Sequence, residues 1–121
     1  FPGVETSLVL MLDQVKKRRL DIARLSLLMS ENPAKAFGLF PRKGALMLGS
    51  QADIAVVDFQ EEKINARDLH SKCGWTPFEG RKVSGRVQCT ILAGKVVYRD
   101  SELVEAGQGN LITRTTSLHS R

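Results

Sequence analysis

The chain has 121 residues, 42% of them hydrophobic and 26% charged, with a formal charge of +5. That length predicts about one domain, and the apolar share excludes general disorder. One Trp and one Tyr are too few for a base-stacking platform, and two cysteines are too few for a disulfide framework.

The chain opens on Phe1-Pro2-Gly3, which reads as a turn, with no initiator Met before it. A domain rarely begins in mid-loop, so the chain is expected to be a piece of something longer. Glu5 and Thr6 supply helix-start chemistry. Leu8 to Leu12 is apolar on every side and Val15 continues one face, which predicts a helix buried on more than one side. Lys16, Lys17, Arg18 and Arg19 form the one dense basic run. At the end of a helix, cations favour the negative end of its dipole. The run is therefore read as a solvated helix end, and no nucleic-acid partner is expected.

Asp21 suits the N-cap of a second helix, with Ile22, Leu25, Leu28 and Met29 at helical spacing. That helix is expected to stop near Ser30. Asn32 and Pro33 then predict a restart, with Asn32 as cap and Pro33 in the first turn, and Gly38 ends it.

After Pro41 the pattern changes. Turn signals at Lys43-Gly44 and Gly49-Ser50 flank a short apolar stretch, Ala45 to Leu48. Ile54 to Phe59 is a β-rich run with little alternation, expected to be buried on both faces. Asp53 opens it and Asp58 ends it, in turn and cap roles. Glu61 and Glu62 begin a polar excursion. Trp75-Thr76-Pro77-Phe78-Glu79-Gly80 carries a mid-run Pro and reads as a loop. Val87, Cys89 and Ile91 alternate, Ala93-Gly94 turns, and Val96, Val97 and Tyr98 return, which predicts a β-hairpin. Thr113 to Arg121 is expected to fray. Helices come first and five or six short strands follow, so the isolated piece reads as α+β.

The chemistry is mostly negative. His119 lies in the expected tail, and His70 stands beside Ser71 and Lys72 as a surface or turn residue. A catalytic zinc site takes at least three protein ligands, and no HxH, HExxH or Asp/His cluster occurs. Ser26, Ser30 and Ser84 lack a nucleophile-elbow context. Gly107-Gln108-Gly109 has no helix behind it and is a weak phosphate-loop signal. Cys73 and Cys89 read as unpaired thiols, which suits the cytoplasm. No apolar stretch is long enough to span a bilayer, so no membrane partner is expected.

Three stretches resemble one family. They are Pro2-Gly3-Val4-Glu5-Thr6 before the apolar helix; Asn32-Pro33-Ala34-Lys35-Ala36-Phe37-Gly38-Leu39 with Lys43-Gly44-Ala45-Leu46 and Gly49-Ser50-Gln51-Ala52-Asp53-Ile54; and Trp75 to Gly80 with Val83, Gly85, Thr90-Ile91 and Gly94-Lys95-Val96-Val97-Tyr98. In this order they are similar to the C-terminal part of cyclic amidohydrolases: dihydroorotases, allantoinases and hydantoinases. Pro-Gly-x-Glu-Thr with Trp-Thr-Pro-Phe-Glu-Gly looks most like dihydroorotase. Gln51 stands where many members have Asp, a difference read as surface variation.

The resemblance implies the last helices of a TIM barrel over residues 1–40, followed by the C-terminal strands of a small composite β-sandwich over residues 41–112 and a flexible tail over 113–121. It implies a zinc enzyme that opens a cyclic amide by attack of metal-bound hydroxide, with metal ligands and general base all before Phe1. No catalytic or metal-binding residue is then expected in this chain, and no bound cofactor. Phe1, Pro2 and Gly3 would touch the rim of the substrate pocket. The remainder of the barrel is the expected partner, the parent is expected to be a homo-oligomer, and the isolated chain is expected to be inactive. The rival readings are an allantoinase or hydantoinase piece, or a non-catalytic dihydroorotase-like assembly module.

Overall fold

The computed structural model describes residues 3–104 and 109–113. Helix α1 spans Val4–Lys16 and α2 spans Ile22–Ser26. A π-helical turn, Leu27–Glu31, leads into α3, Asn32–Ala36. Strand β1 spans Ile54–Lys63, β2 Lys82–Leu92, β3 Lys95–Arg99 and β4 Glu102–Leu103, with a 3-10 turn at Ala66–Asp68. The strands form one sheet in the order β1-β2-β3-β4. The α+β reading therefore holds. The described residues fall into two compact units, one drawn from Phe1–Leu25 and Val56–Gln88, the other from Ser26–Ala55 and Cys89–Arg121. Among the described residues no helix is long and apolar enough to cross a membrane.

In the first unit the decisive contact is α1 on β2. Leu12 is fully buried and Val83 nearly so. The helix approaches so closely at Gly85 that a Cβ there would lie 2.4 Å from the Leu12 Cβ. Burying a Leu side chain stabilises by about 1.5–3 kcal/mol. Beside it lies a charge. Asp13 is 1% exposed. Its Oδ1 accepts the Ser84 N–H at 3.2 Å, and its Oδ2 accepts Lys17 Nζ at 2.6 Å and Gln14 Nε2 at 3.2 Å. A buried carboxylate is tolerated when it is paired and hydrogen-bonded in this way. The bond from Lys17, opposed by burial and aided by Ser84, holds its carboxyl below the ordinary value of 3.8.

The basic run finishes α1. Lys17 donates its backbone N–H to the Asp13 carbonyl, and Arg18 takes a positive φ of 57°. Beyond β1, Ile64 is buried. Its backbone N–H donates to Arg81 and its carbonyl accepts from Gly80, which closes the segment 64–81 at its base. Glu79 Oε2 accepts the Ala66 N–H at 2.6 Å, and buried Thr76 accepts the Phe78 N–H. Trp75 to Gly80 is a loop, as expected.

The second unit rests on turns. Gly38 (φ 69°) ends α3, and the Ala34 carbonyl accepts both Leu39 N–H, at 2.7 Å, and Phe40 N–H, at 3.2 Å. Gly44 (φ 81°) passes so close to Ala34 that an added Cβ would lie 2.6 Å from the Ala34 Cβ. Ala93 (φ 50°) and Gly94 (φ 83°) form the two-residue turn between β2 and β3, both in the left-handed region that a type I′ hairpin demands. Asp53 Oδ1 accepts the Ala93 N–H at 2.8 Å and the Ala52 carbonyl accepts the Gly94 N–H, so residues 52–53 hold the hairpin tip. Lys43 pairs with the same carboxylate. Burial pushes Asp53 up, but Lys43, the Ala93 N–H and Gln51 outweigh it and hold the group below its ordinary value. β2 and β3 pair antiparallel, with a bulge after Thr90. Asp100 and Ser101, both at positive φ, turn β3 into β4.

Four expectations need correction. The chain does not break at Asn32; the helix continues through Leu27–Glu31 in the wider π form, and the Asn32 N–H donates to the Leu27 carbonyl. Pro33 lacks an N–H, and its ring crowds an α-helical carbonyl one turn back, so the wider turn accommodates it. The described sheet has four strands rather than five or six. Ile54–Phe59 is not buried on both faces. β1 runs on through Glu61 and Glu62 to Lys63 as an edge strand, mostly exposed, and Asp58 sits mid-strand within 3.8 Å of Arg86 rather than at its end. Helix α1 is not enclosed: Leu8 to Met11 are half-buried and Val4 is exposed.

Gly85→Ala is expected to cost about 1–3 kcal/mol, because the methyl has no room against Leu12. Urea unfolding of the variant checks it, and an unchanged midpoint would refute the close approach. For Asp13 and Asp53 the folded value is depressed, so their stabilisation is fully present above the ordinary 3.8 and disappears as pH falls through the lower folded value. Asp13→Asn is expected to lose about 1–3 kcal/mol at neutral pH and to converge on the wild type in acid, read from urea midpoints across pH.

Candidate functional site

The resemblance pointed to the rim residues Phe1, Pro2 and Gly3. Phe1 and Pro2 lie outside the described residues. Gly3 is the N-cap of α1, at φ −111° and ψ −8°. Its carbonyl accepts the Ser7 N–H at 3.0 Å and the Thr6 hydroxyl at 3.3 Å. This turn is thereby tied to the first helical turn.

From that same turn Glu5 reaches a residue 65 positions away. Glu5 Oε2 accepts the His70 backbone N–H at 2.8 Å. Glu5 Oε1 lies 2.7 Å from His70 Nδ1. A carboxylate accepts only, so Nδ1 carries the proton. A helix begins here because Gly3 leaves its carbonyl to the turn and Glu5 complements the positive end of the helix dipole. Two elements of the first unit are thus joined by one side chain. The side chains are half exposed, 56% for His70 and 42% for Glu5, so this is a surface link rather than a buried ion pair.

His70 begins a polar loop. The Ser71 hydroxyl donates to Cys73 Sγ at 3.2 Å, and the Cys73 thiol donates to the Trp75 carbonyl at 3.3 Å. The Ser71 hydroxyl holds this exposed thiol below its ordinary value. Cys89, by contrast, is buried in β2, and both cysteines are free.

A second feature is a shallow open groove of about 510 Å³ at the end of α1, lined by Val15, Arg18, Arg19, Leu20, Asp21, Ile22 and Phe59. Lys16 Nζ stands 5.9 Å from the Phe59 ring centre. Arg19 donates to Gln14.

The metal implied by the resemblance does not fit these residues. Among the described residues no three His, Cys, Asp or Glu side chains converge as ligands. His70 Nδ1 is committed to Glu5, and Asp13 and Asp53 are committed to lysines and backbone N–H groups. His119 lies outside the described residues. The described site can position a loop and present one imidazole nitrogen. Among the described contacts, no base reaches a nucleophile.

Glu5 and Asp13 escaped the sequence reading. Glu5 was read as helix-start chemistry alone, and nothing local marks a partner 65 positions on. Asp13 carried one signal: a carboxylate on the apolar side of a helix, four residues before a lysine.

The comparisons agree with this architecture. The model described as "Amidohydrolase family" matches residues 3–97. An L-hydantoinase of Paenarthrobacter aurescens is 43% identical over 93% of this chain and 25% of its own length. A dihydroorotase of Pyrococcus abyssi is 39% identical over 94% of this chain and 28% of its own. The solved structure of an L-hydantoinase (dihydropyrimidinase) from Arthrobacter aurescens superposes with a TM-score of 0.82 at 40% identity, covering 85% of this chain and 23% of that one. The chain spans about a quarter of the length of the curated relatives it matches. By the family match along most of its length, the chain belongs to the amidohydrolase family.

Proposed function

We propose that the chain is the C-terminal portion of a dihydroorotase. In that reaction water adds across a ring C–N amide bond and opens dihydroorotate to carbamoyl aspartate; cyclisation is the reverse, in pyrimidine synthesis. The observation that carries the reading is the alignment with dihydroorotases along nearly the whole chain. An alignment of that extent takes in the Trp75–Gly80 loop.

In this reading residues 1–40 are the last helices of a TIM barrel and residues 41–112 the C-terminal strands of a composite β-sandwich. Several physical features support it. The apolar face of α1 is only half covered. β1 is an edge strand of ten residues with backbone groups open to further pairing. Leu46, Met47 and Leu48 stand exposed in succession, Leu48 entirely so. Zinc is then the parent's cofactor, held outside this chain. The chain supplies a scaffold and, through Phe1, Pro2 and Gly3, part of the pocket rim. The parent is a homo-oligomer of the cytoplasm that acts on a small cyclic amide, without nucleic-acid or membrane partners.

A second reading, a hydantoinase piece, is favoured by the L-hydantoinase relative, which matches as much of the chain. Allantoinase is the other enzyme alternative, and a non-catalytic dihydroorotase-like assembly module is a reading of a different class.

Assays on the parent protein with dihydroorotate, a 5-substituted hydantoin and allantoin separate these readings. Turnover of dihydroorotate is expected; turnover of hydantoin alone would transfer the assignment. The 121-residue chain by itself is expected to hydrolyse none of them and to bind no stoichiometric zinc, and turnover above background would overturn that. It is also expected to self-associate; light scattering that shows a compact monomer would count against the uncovered faces.

A further inference from the structure

We propose that Glu5 is a positioning residue for substrate binding. It locks the 70-loop to the turn at Gly3 through two hydrogen bonds to His70. The proposal rests on the amidohydrolase reading above, in which Gly3 forms part of the pocket rim.

The geometry carries the argument. One carboxylate takes both donors of a single residue, the backbone N–H at 2.8 Å and the ring Nδ1–H at 2.7 Å. Charge-assisted pairs of this kind fix orientation as well as position. A free surface carboxylate has no need of a partner 65 positions away. Glu5 lies two residues after Gly3, whose carbonyl is itself bonded to Ser7 N–H and the Thr6 hydroxyl. Residues 3–7 and His70 are therefore one hydrogen-bonded block. Glu5 also fixes the imidazole tautomer. Beyond His70 the loop continues through the Ser71–Cys73–Trp75 bonds. Movement at His70 would thus be felt at Gly3. It would alter how the rim meets substrate and leave the distant bond-breaking groups in place.

The test uses the full-length parent enzyme and its cyclic amide substrate. Glu5→Ala is expected to raise KM about tenfold with kcat within about twofold, the size of two weak bonds of an exposed charged pair. His70→Asn keeps an N–H near the Nδ1 position and is expected to behave as wild type. His70→Ala keeps only the backbone bond and is expected to fall between the two. Two readouts separate positioning from simple loss of fold. The His70 ring ¹⁵N shifts should report the Nδ1–H tautomer in wild type and lose that signature in Glu5→Ala. Amide exchange should quicken at His70 in Glu5→Ala while it stays unchanged at Leu12. An unaltered KM in Glu5→Ala, an Nε2–H tautomer in wild type, or His70→Asn as impaired as Glu5→Ala would each overturn the proposal. A wild-type parent that opens no cyclic amide would sink the functional reading first; an active wild type with indifferent variants would sink this inference alone.

Discussion

The first unit depends on one close approach, that of α1 to β2. Gly85 removes the side chain that would keep the helix away, and Leu12 fills the space. That closeness brings the Ser84 N–H within reach of Asp13. The apolar contact and the buried carboxylate are therefore not independent. Widening the gap would strand Asp13, a buried charge that had lost one of its donors. Lys17, one helical turn beyond Asp13, keeps the carboxylate ionised and at the same time helps end the helix. A single lysine in the basic run thus serves electrostatics that a count of surface charge would assign to solvent.

The second unit solves a different problem. Its helices are short, and its described core includes Leu-free contacts such as Ala34 beneath Gly44. Backbone conformation then takes a larger share. Gly38, Gly44 and Gly94 adopt φ values open to glycine at little cost, while Ala93, Asp100 and Ser101 adopt them against their Cβ. Asp53 offsets part of that strain at Ala93, because its carboxylate takes the N–H at the turn and Lys43 neutralises it. The pairing of a lysine, an aspartate and a hairpin tip explains why Asp53 is held below its ordinary value.

Much of this was legible in the residues. The β2–β3 hairpin was, because Ala93-Gly94 stands between two alternating apolar runs. So was the end of α3, because Gly38 follows its last helical contact. The loop at Trp75–Gly80 was marked by its mid-run Pro. What escaped has physical reasons. Asn32-Pro33 looks like a helix start, since local rules price the missing N–H of proline as a break. The chain instead widened the preceding turn into π geometry. The run at Ile54 lacked alternation, which resembles a strand buried on both faces, yet β1 is an edge and its apolar residues stay largely open. For the candidate site, the first turn of α1 was visible but its partner was not. Helix-start chemistry and loop-holding chemistry use the same carboxylate, and only tertiary contact separates them.

The ionisable side chains of the two units are engaged by their neighbours. The buried carboxylate is paired, the depressed carboxylates face lysines, and the histidine ring is committed at one nitrogen. Groups so fully engaged hold geometry. The exposed thiol of Cys73 is the partial exception, yet its neighbours within the loop engage it too. Electrostatics in this part of the molecule fix helix to strand, hairpin to turn and loop to helix start.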